Sequence, residues 1–190
     1  MFNRRVFRTL AFLACVSVFS TLACAQSGEV SGYAGGVYST AGDLAQISGV
    51  HGGTSAYFGG AAGLGLGSNL HLFFDLGHGT IASGSTSGVG ITQTETNIGF
   101  GGDYGFGSST KVIPYAVGEI GIGHGNSTAS GGGVNVSSPS NEAYFGGGGG
   151  VRFFLGKSWG IKPEVQFRRY NSDSINTVIF SAGVFFQFGK

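Results

Sequence analysis

Charge is scarce in this chain, proline scarcer still, and both of its cysteines, Cys15 and Cys24, fall within the first 25 residues. Asp, Glu, Lys and Arg make up 10% of the 190 residues, against about 25% in ordinary soluble domains. A surface facing only water would have little to keep it dissolved. Once the opening segment is set aside, no disulfide, thiolate metal site or cysteine nucleophile remains. There is no basic tract, so nothing points to nucleic acid as a partner. Nor does any later stretch hold the ~18 uninterrupted apolar residues of a membrane-crossing helix. A chain that crosses a bilayer without such a helix must do so as a closed barrel, because only helices and barrels pair all their backbone groups there.

The opening segment has its own logic. Arg4, Arg5 and Arg8 are basic, residues 10–22 are mostly apolar, and Ala23-Cys24-Ala25 supplies small residues before Gln26. This order is that of a secretory signal cut after Ala25, so residues 1–25 are expected to be a signal peptide and 26–190 one domain. An uncleaved anchor helix or a lipid on Cys24 are alternatives. The apolar run is broken by Ser17, Ser20 and Thr21, which disfavours a span. The remaining chain carries seven Lys and Arg against nine Asp and Glu, a net charge of −2.

What is abundant is glycine, 39 residues, with 17 Phe and 7 Tyr. A disordered glycine-rich chain would not arrange its aromatics regularly, yet here they alternate. In the last segment Val178, Phe180, Ala182, Val184, Phe186 and Phe188 fall on one face and Thr177, Ser181, Gly183 and Gln187 on the other. Period-two patterning of this kind marks a β-strand with one apolar and one polar face. Eight such strands are expected, near 29–38, 56–66, 70–78, 91–103, 111–123, 142–155, 160–170 and 177–188. Short turns (67–69, 104–110, 156–159) alternate with longer polar connections (39–55, 79–90, 124–141), and one brief connection spans 171–176. Short turns at one end and long loops at the other is the layout of an outer-membrane barrel.

Charges sort by face. Val112, Ile120, Ile122, Phe145, Val151, Phe153, Leu155, Ile161, Val165 and Phe167 share the apolar face; Glu119, Arg152, Lys162, Glu164, Gln166 and Arg168 take the other. An eight-stranded barrel has an interior just wide enough for side chains to fill. Glu119, Arg152, Glu164 and Arg168 are therefore expected to form a lumenal charge network, with Lys162, Asp75 and Glu95 as further members. Strand heights pair Arg152 with Glu164, and Glu119 with Arg168 across the strand carrying Gly148. Such a network reads as a plug, or alternatively as a gate on a narrow ion path. Arg169 falls on the apolar face at an upper strand end, where a cation meets anionic headgroups at small cost.

Other signals carry less chemistry. The run Gly146 to Gly150 superficially matches phosphate-binding loops, but no helical periodicity follows it. Trp159, Tyr104 and Phe188 at the lower ends, with Tyr38, Tyr144 and Tyr170 at the upper ends, fit interfacial aromatic girdles. No two of His51, His71, His78 and His124 have helical metal-ligand spacing, and no metal or cofactor is expected. His124 and Ser127 place an imidazole near a hydroxyl without a positioned carboxylate.

Laid out in this way, Pro114-Tyr115-Ala116-Val117-Gly118, the glycine run leading to Val151-Arg152-Phe153-Phe154, and Trp159-Gly160-Ile161-Lys162-Pro163-Glu164-Val165 resemble the bacterial outer-membrane β-barrel domain family. This is the group of small eight-stranded barrels of opacity type and outer-membrane-protein-A type. The resemblance covers essentially all of 26–190 and implies an all-β, up-and-down barrel in the cell outer membrane with a structural, adhesive or narrow-pore role and no enzymatic activity. It also implies outer-membrane lipid and lipopolysaccharide, and the barrel assembly machinery, as partners, with Phe188 as the assembly signal and an extracellular ligand met through the loops. One departure from the family pattern is that Gly189 and Lys190 follow that aromatic. A lipid-modifying barrel enzyme and a soluble exported glycine-rich β protein are the alternatives.

Overall fold

The computed structural model describes residues 27–39, 50–52, 54–67, 69–86, 89–107, 111–131, 134–171 and 176–189. The expected signal peptide, 1–25, lies outside them. The described residues form nine strands: β1 (Ser27–Ser39), β2 (Val50–Gly52), β3 (Thr54–Leu66), β4 (Leu70–Thr86), β5 (Val89–Gly105), β6 (Val112–Gly131), β7 (Val134–Phe154), β8 (Trp159–Tyr170) and β9 (Asn176–Phe188). All except β2 pair antiparallel with two neighbours in chain order, and β1 closes on β9 from Gly28↔Phe188 to Ser39↔Thr177. The product is a closed eight-stranded barrel, the architecture expected from the alternation. The short β2 lies above β3 and pairs with 82–84 of β4.

Closure leaves no free edge within the barrel wall, and the pleat does the rest. Along β9, Val184, Phe186 and Phe188 point out and are at least half exposed, whereas Phe185 and Gln187 point in and are buried. Phe74, Phe100, Ile120, Phe145 and Phe180 likewise lie on the outer wall. The lower turns are tight. Gly67, between β3 and β4, has φ +83°, a conformation that a residue with a Cβ adopts only at a cost.

The upper connections differ from the sequence expectation. Most of 79–90 and 124–141, expected as polar loops, is strand: β4 and β5 pair up to Thr86↔Val89, and β6 and β7 up to Gly131↔Val134. These segments lack apolar alternation because no hydrocarbon flanks them, yet their Thr, Ser and Val residues suit a ladder. From Ile122 to Gly131 is nine residue-to-residue steps, about 30 Å of strand rising above the apolar band. Among the described residues the β7–β8 ladder ends at Tyr144↔Tyr170, with one further bond from Asn171 N–H to the Ala143 carbonyl, so β4 to β7 stand up as a sheet beyond the barrel rim.

Candidate functional site

The inward faces carry the chain's concentrated chemistry, stacked in layers. In the lower layer Arg152, 1% exposed, reaches across the lumen. It donates to Asp103 on β5 through two bonds of 2.8 Å and to Glu29 on β1 at 3.1 and 3.2 Å. Gln187 Nε2 donates to Glu29 at 2.9 Å, and Lys162 Nζ lies 3.7 Å from Glu29 and 3.9 Å from Glu164. His71 Nδ1 stands 3.4 Å from Asp103. The Arg152 guanidinium lies over the Tyr115 ring, 4.8 Å from its centroid.

In the middle layer Arg168, 2% exposed, meets Glu119 at 3.1 Å and Asp75 at 3.4 Å. It also donates to the Tyr57 hydroxyl at 2.8 Å and lies over the Tyr144 ring at 4.9 Å. Two guanidiniums cannot neutralise all the carboxylates around them, and tyrosine hydroxyls meet the surplus. Tyr33 donates to Asp75 at 2.7 Å and Tyr115 to Glu164 at 2.6 Å; Tyr144 donates to Glu119 and Tyr170 to Glu95. Glu29, Asp75, Glu95, Asp103, Glu119 and Glu164 thus each have a donor, which removes much of the penalty for taking an ion out of water.

The glycines make this packing possible. Gly146 pairs with Glu119 on one side and Arg168 on the other. A Cβ on Gly146 would approach Arg168 Cγ to 2.9 Å. A Cβ on Gly99 would collide with the Glu119 carboxylate and the Tyr144 hydroxyl, and one on Gly77 with the Tyr57 hydroxyl. Bulky ring and bare α-carbon face each other across the bore.

Against the sequence expectation, Glu119, Arg168 and Asp75 come together, and Lys162 approaches Glu164. Arg152 and Glu164 do not pair: Gly150, not Arg152, stands opposite Glu164, and Arg152 turns to the far wall. The strand carrying Gly148 does separate Glu119 from Arg168, and its glycine in register with both is Gly146. Glu95 sits in the lumen but is held by Tyr170. Tyr144 and Tyr170 need the plainest correction. Both are 3% exposed and lie inside the barrel, not in an outer girdle, because their even numbers put them on the same faces of β7 and β8 as Arg152 and Arg168. Trp159, Tyr104 and Phe188 are on the outer wall at the lower end, 46%, 49% and 52% exposed. Glu29 and Asp103 were missed; parity along β1 and β5 turns them inward, but only closure of the barrel brings them to Arg152. His124 and Ser127 fall on opposite faces of β6, so no His–Ser pair forms.

Between these layers the lumen holds small voids, about 20 Å³ beside Tyr33, Asp75 and Glu164 and about 10 Å³ beside Glu29, His71 and Asp103. A single water needs ~10–15 Å³ by this measure. Below Arg152 a vestibule of about 600 Å³ opens at the lower end, lined by Asn69, His71, Arg152 and Gln187.

The profile of the Outer membrane protein beta-barrel domain matches residues 11–188. Solved structures similar to this one include Neisserial surface protein A (NspA), at TM-score 0.65 and 16% identity over 85% of this chain and 97% of that one. Ail, the attachment invasion locus protein of Yersinia pestis, matches at TM-score 0.60 and 14% identity over 86% and 99%. OprG from Pseudomonas aeruginosa matches at TM-score 0.55 and 12% identity over 87% and 97%. At these identities the likeness is one of fold. No curated protein sequence matches significantly.

Proposed function

This chain belongs to the outer membrane protein β-barrel domain family and lies in the outer membrane, and we propose that it acts there as a sealed, non-enzymatic scaffold that holds a neutral β-sheet above the membrane surface. The single observation that carries this reading is the filled bore. Arg152 with Glu29 and Asp103, and Arg168 with Glu119 and Asp75, cross the lumen at two heights. An ion passing through would have to break both layers, and breaking a buried pair costs ~3–5 kcal/mol. The plug therefore accounts for the lumenal charges better than a gate.

The surface role rests on β4 to β7. Above the rim, from Gly125 to Asn141, the chain has no Asp, Glu, Lys or Arg and is built of Ser, Thr, Asn, Gly and a few apolar residues. Hydroxyl and amide groups on an extended sheet suit neutral hydrogen-bonding partners such as glycans. Ail of Yersinia pestis has been crystallised with the heparin analogue sucrose octasulfate, a polyanion, whereas the stretch from Gly125 to Asn141 here offers hydroxyl and amide groups and no Lys or Arg. On this reading Phe188, which points outward at the lower end of the closing strand, serves as the assembly signal. Planar-bilayer recording on the purified, refolded barrel tests the seal. Silence at physiological salt is expected, and a steady ohmic conductance from the wild-type protein would replace the scaffold with a narrow pore.

A further inference from the structure

Above the Arg168 layer the bore changes character. On β5 to β7 the inward positions there are Gln93 and Glu95, Gly123 and Gly125, and Ser140 and Glu142. Among the described residues no Lys or Arg stands on an inward strand face above Arg168, and Arg168 itself is engaged by Glu119 and Asp75. The upper mouth is thus acidic.

Bare α-carbons on β6 let the flanking side chains meet. Gln93 is in register with Ser127, yet its Nε2 lies 3.8 Å from the point where a Cβ of Gly125 would sit. Glu95 is in register with Gly125, and its carboxyl group comes to 3.0 Å from the corresponding point on Gly123. Both β5 side chains therefore lean one row down across β6, toward β7. From β7, Ser140 Oγ comes to 2.8 Å from the Gly125 point. Glu142 stands directly opposite Gly123, with the α-carbons about 5 Å apart. Oxygen-bearing side chains from two strands thus gather over a two-glycine floor. Gln93 is 7% exposed, and its Oε1 is buried and accepts no hydrogen bond among the described residues. A carbonyl desolvated in this way is costly unless something approaches it. One Glu142 oxygen is buried at the same mouth. Glu95 is buried too and accepts from the Tyr170 hydroxyl, and a carboxylate has capacity for further contacts.

The donor set selects the ligand. Among the described residues no three His, Cys, Asp or Glu side chains gather at one point, and no imidazole or thiolate faces this mouth, so a soft or borderline metal has little to hold it. Two carboxylates with an amide carbonyl and a hydroxyl suit Ca²⁺, which takes about six to eight oxygens in flexible geometry and completes its shell with water. Mg²⁺ demands near-ideal octahedral geometry and gives up its water reluctantly. The expectation that no metal binds rested on histidine spacing, which this arrangement does not use. We propose that Gln93, Glu95, Ser140 and Glu142 form a Ca²⁺ site at the upper mouth of the bore. It lies where the β7–β8 ladder ends, so the ion ties β5 to β7 at the foot of the raised sheet. The site is independent of whether the bore conducts.

Isothermal titration calorimetry with CaCl₂ tests it, on the barrel refolded in an uncharged detergent and free of lipopolysaccharide. One Ca²⁺ should bind per barrel, with Kd in the ~10⁻⁴–10⁻³ M range of extracellular calcium modules. MgCl₂ should bind at least about tenfold more weakly. Glu142→Gln should weaken Ca²⁺ binding about tenfold, and Gln93→Leu about threefold. Asn141→Ala, next to Glu142 but on the outer face of β7, should leave it unchanged. Heat-modifiable gel mobility reports that each variant is folded. No uptake of Ca²⁺ by the wild-type barrel at millimolar concentration, wild-type affinity in Glu142→Gln or Gln93→Leu, or an equal loss in Asn141→Ala overturns the proposal.

Discussion

Glu119 and Arg168 stand on either side of Gly146, in register with it across three neighbouring strands, and their side chains meet at 3.1 Å past its bare α-carbon. The pair thus depends on a residue with no side chain. Gly146→Val should abolish the heat-modifiable folded band, because a Cβ there would sit 2.8 Å from the Phe167 carbonyl oxygen and 2.9 Å from Arg168 Cγ. Gly147→Val, on the outer face, should fold normally, since its nearest neighbour would be the Val117 carbonyl oxygen at 3.5 Å.

Removing the cation rather than the gap should also be costly. Arg168→Ala leaves Glu119 and Asp75 buried without their shared partner, and a loss of ~3–5 kcal/mol is expected. Urea unfolding of the barrel in lipid vesicles, followed by Trp159 fluorescence, measures it. Arg169→Ala, one residue along and facing outward, should change the midpoint by less than ~0.5 kcal/mol. Equal effects at the two positions would contradict the layered lumen.

Tyrosine position makes a third contrast. Tyr144→Phe and Tyr170→Phe each remove the hydroxyl that serves a buried carboxylate, Glu119 or Glu95. Each should cost ~1–3 kcal/mol in the same unfolding assay. Tyr104→Phe, on the outer wall, should be close to neutral.

The raised sheet should be dispensable for folding. Deleting 127–138 and closing the β6–β7 hairpin with a two-residue Asn-Gly turn removes ladder bonds above the rim but no lumenal ion pair. The shortened barrel should keep its gel shift and its unfolding midpoint to within ~1 kcal/mol. Any loss of cell-surface binding in that variant would then belong to the sheet itself.

Much of this was legible in the chain. Val178 to Phe188 alternate so strictly that strand, face and closing position follow from period two alone, and the same parity turns Glu119, Arg152 and Arg168 inward. Parity would also have placed Tyr144 and Tyr170 in the lumen, but tyrosine suits both an interface and a buried hydrogen bond, and the residue type outweighed the count. Residues 79–90 and 124–141 looked like loops because a strand surrounded by water on both sides needs no apolar period.

Composition, alternation and the spacing of the turns by themselves pointed to an outer-membrane barrel, turned most strand residues to the face they occupy, and gathered the strand carboxylates and guanidiniums on one side of the sheet. They could not determine who pairs with whom. Glu29 lies 123 residues from Arg152 in sequence, and the two meet only because β1 closes on β9 and the sheet curls until opposite walls are within reach of one side chain. Partner choice across a bore depends on shear and curvature, which are properties of the closed sheet and of no single strand.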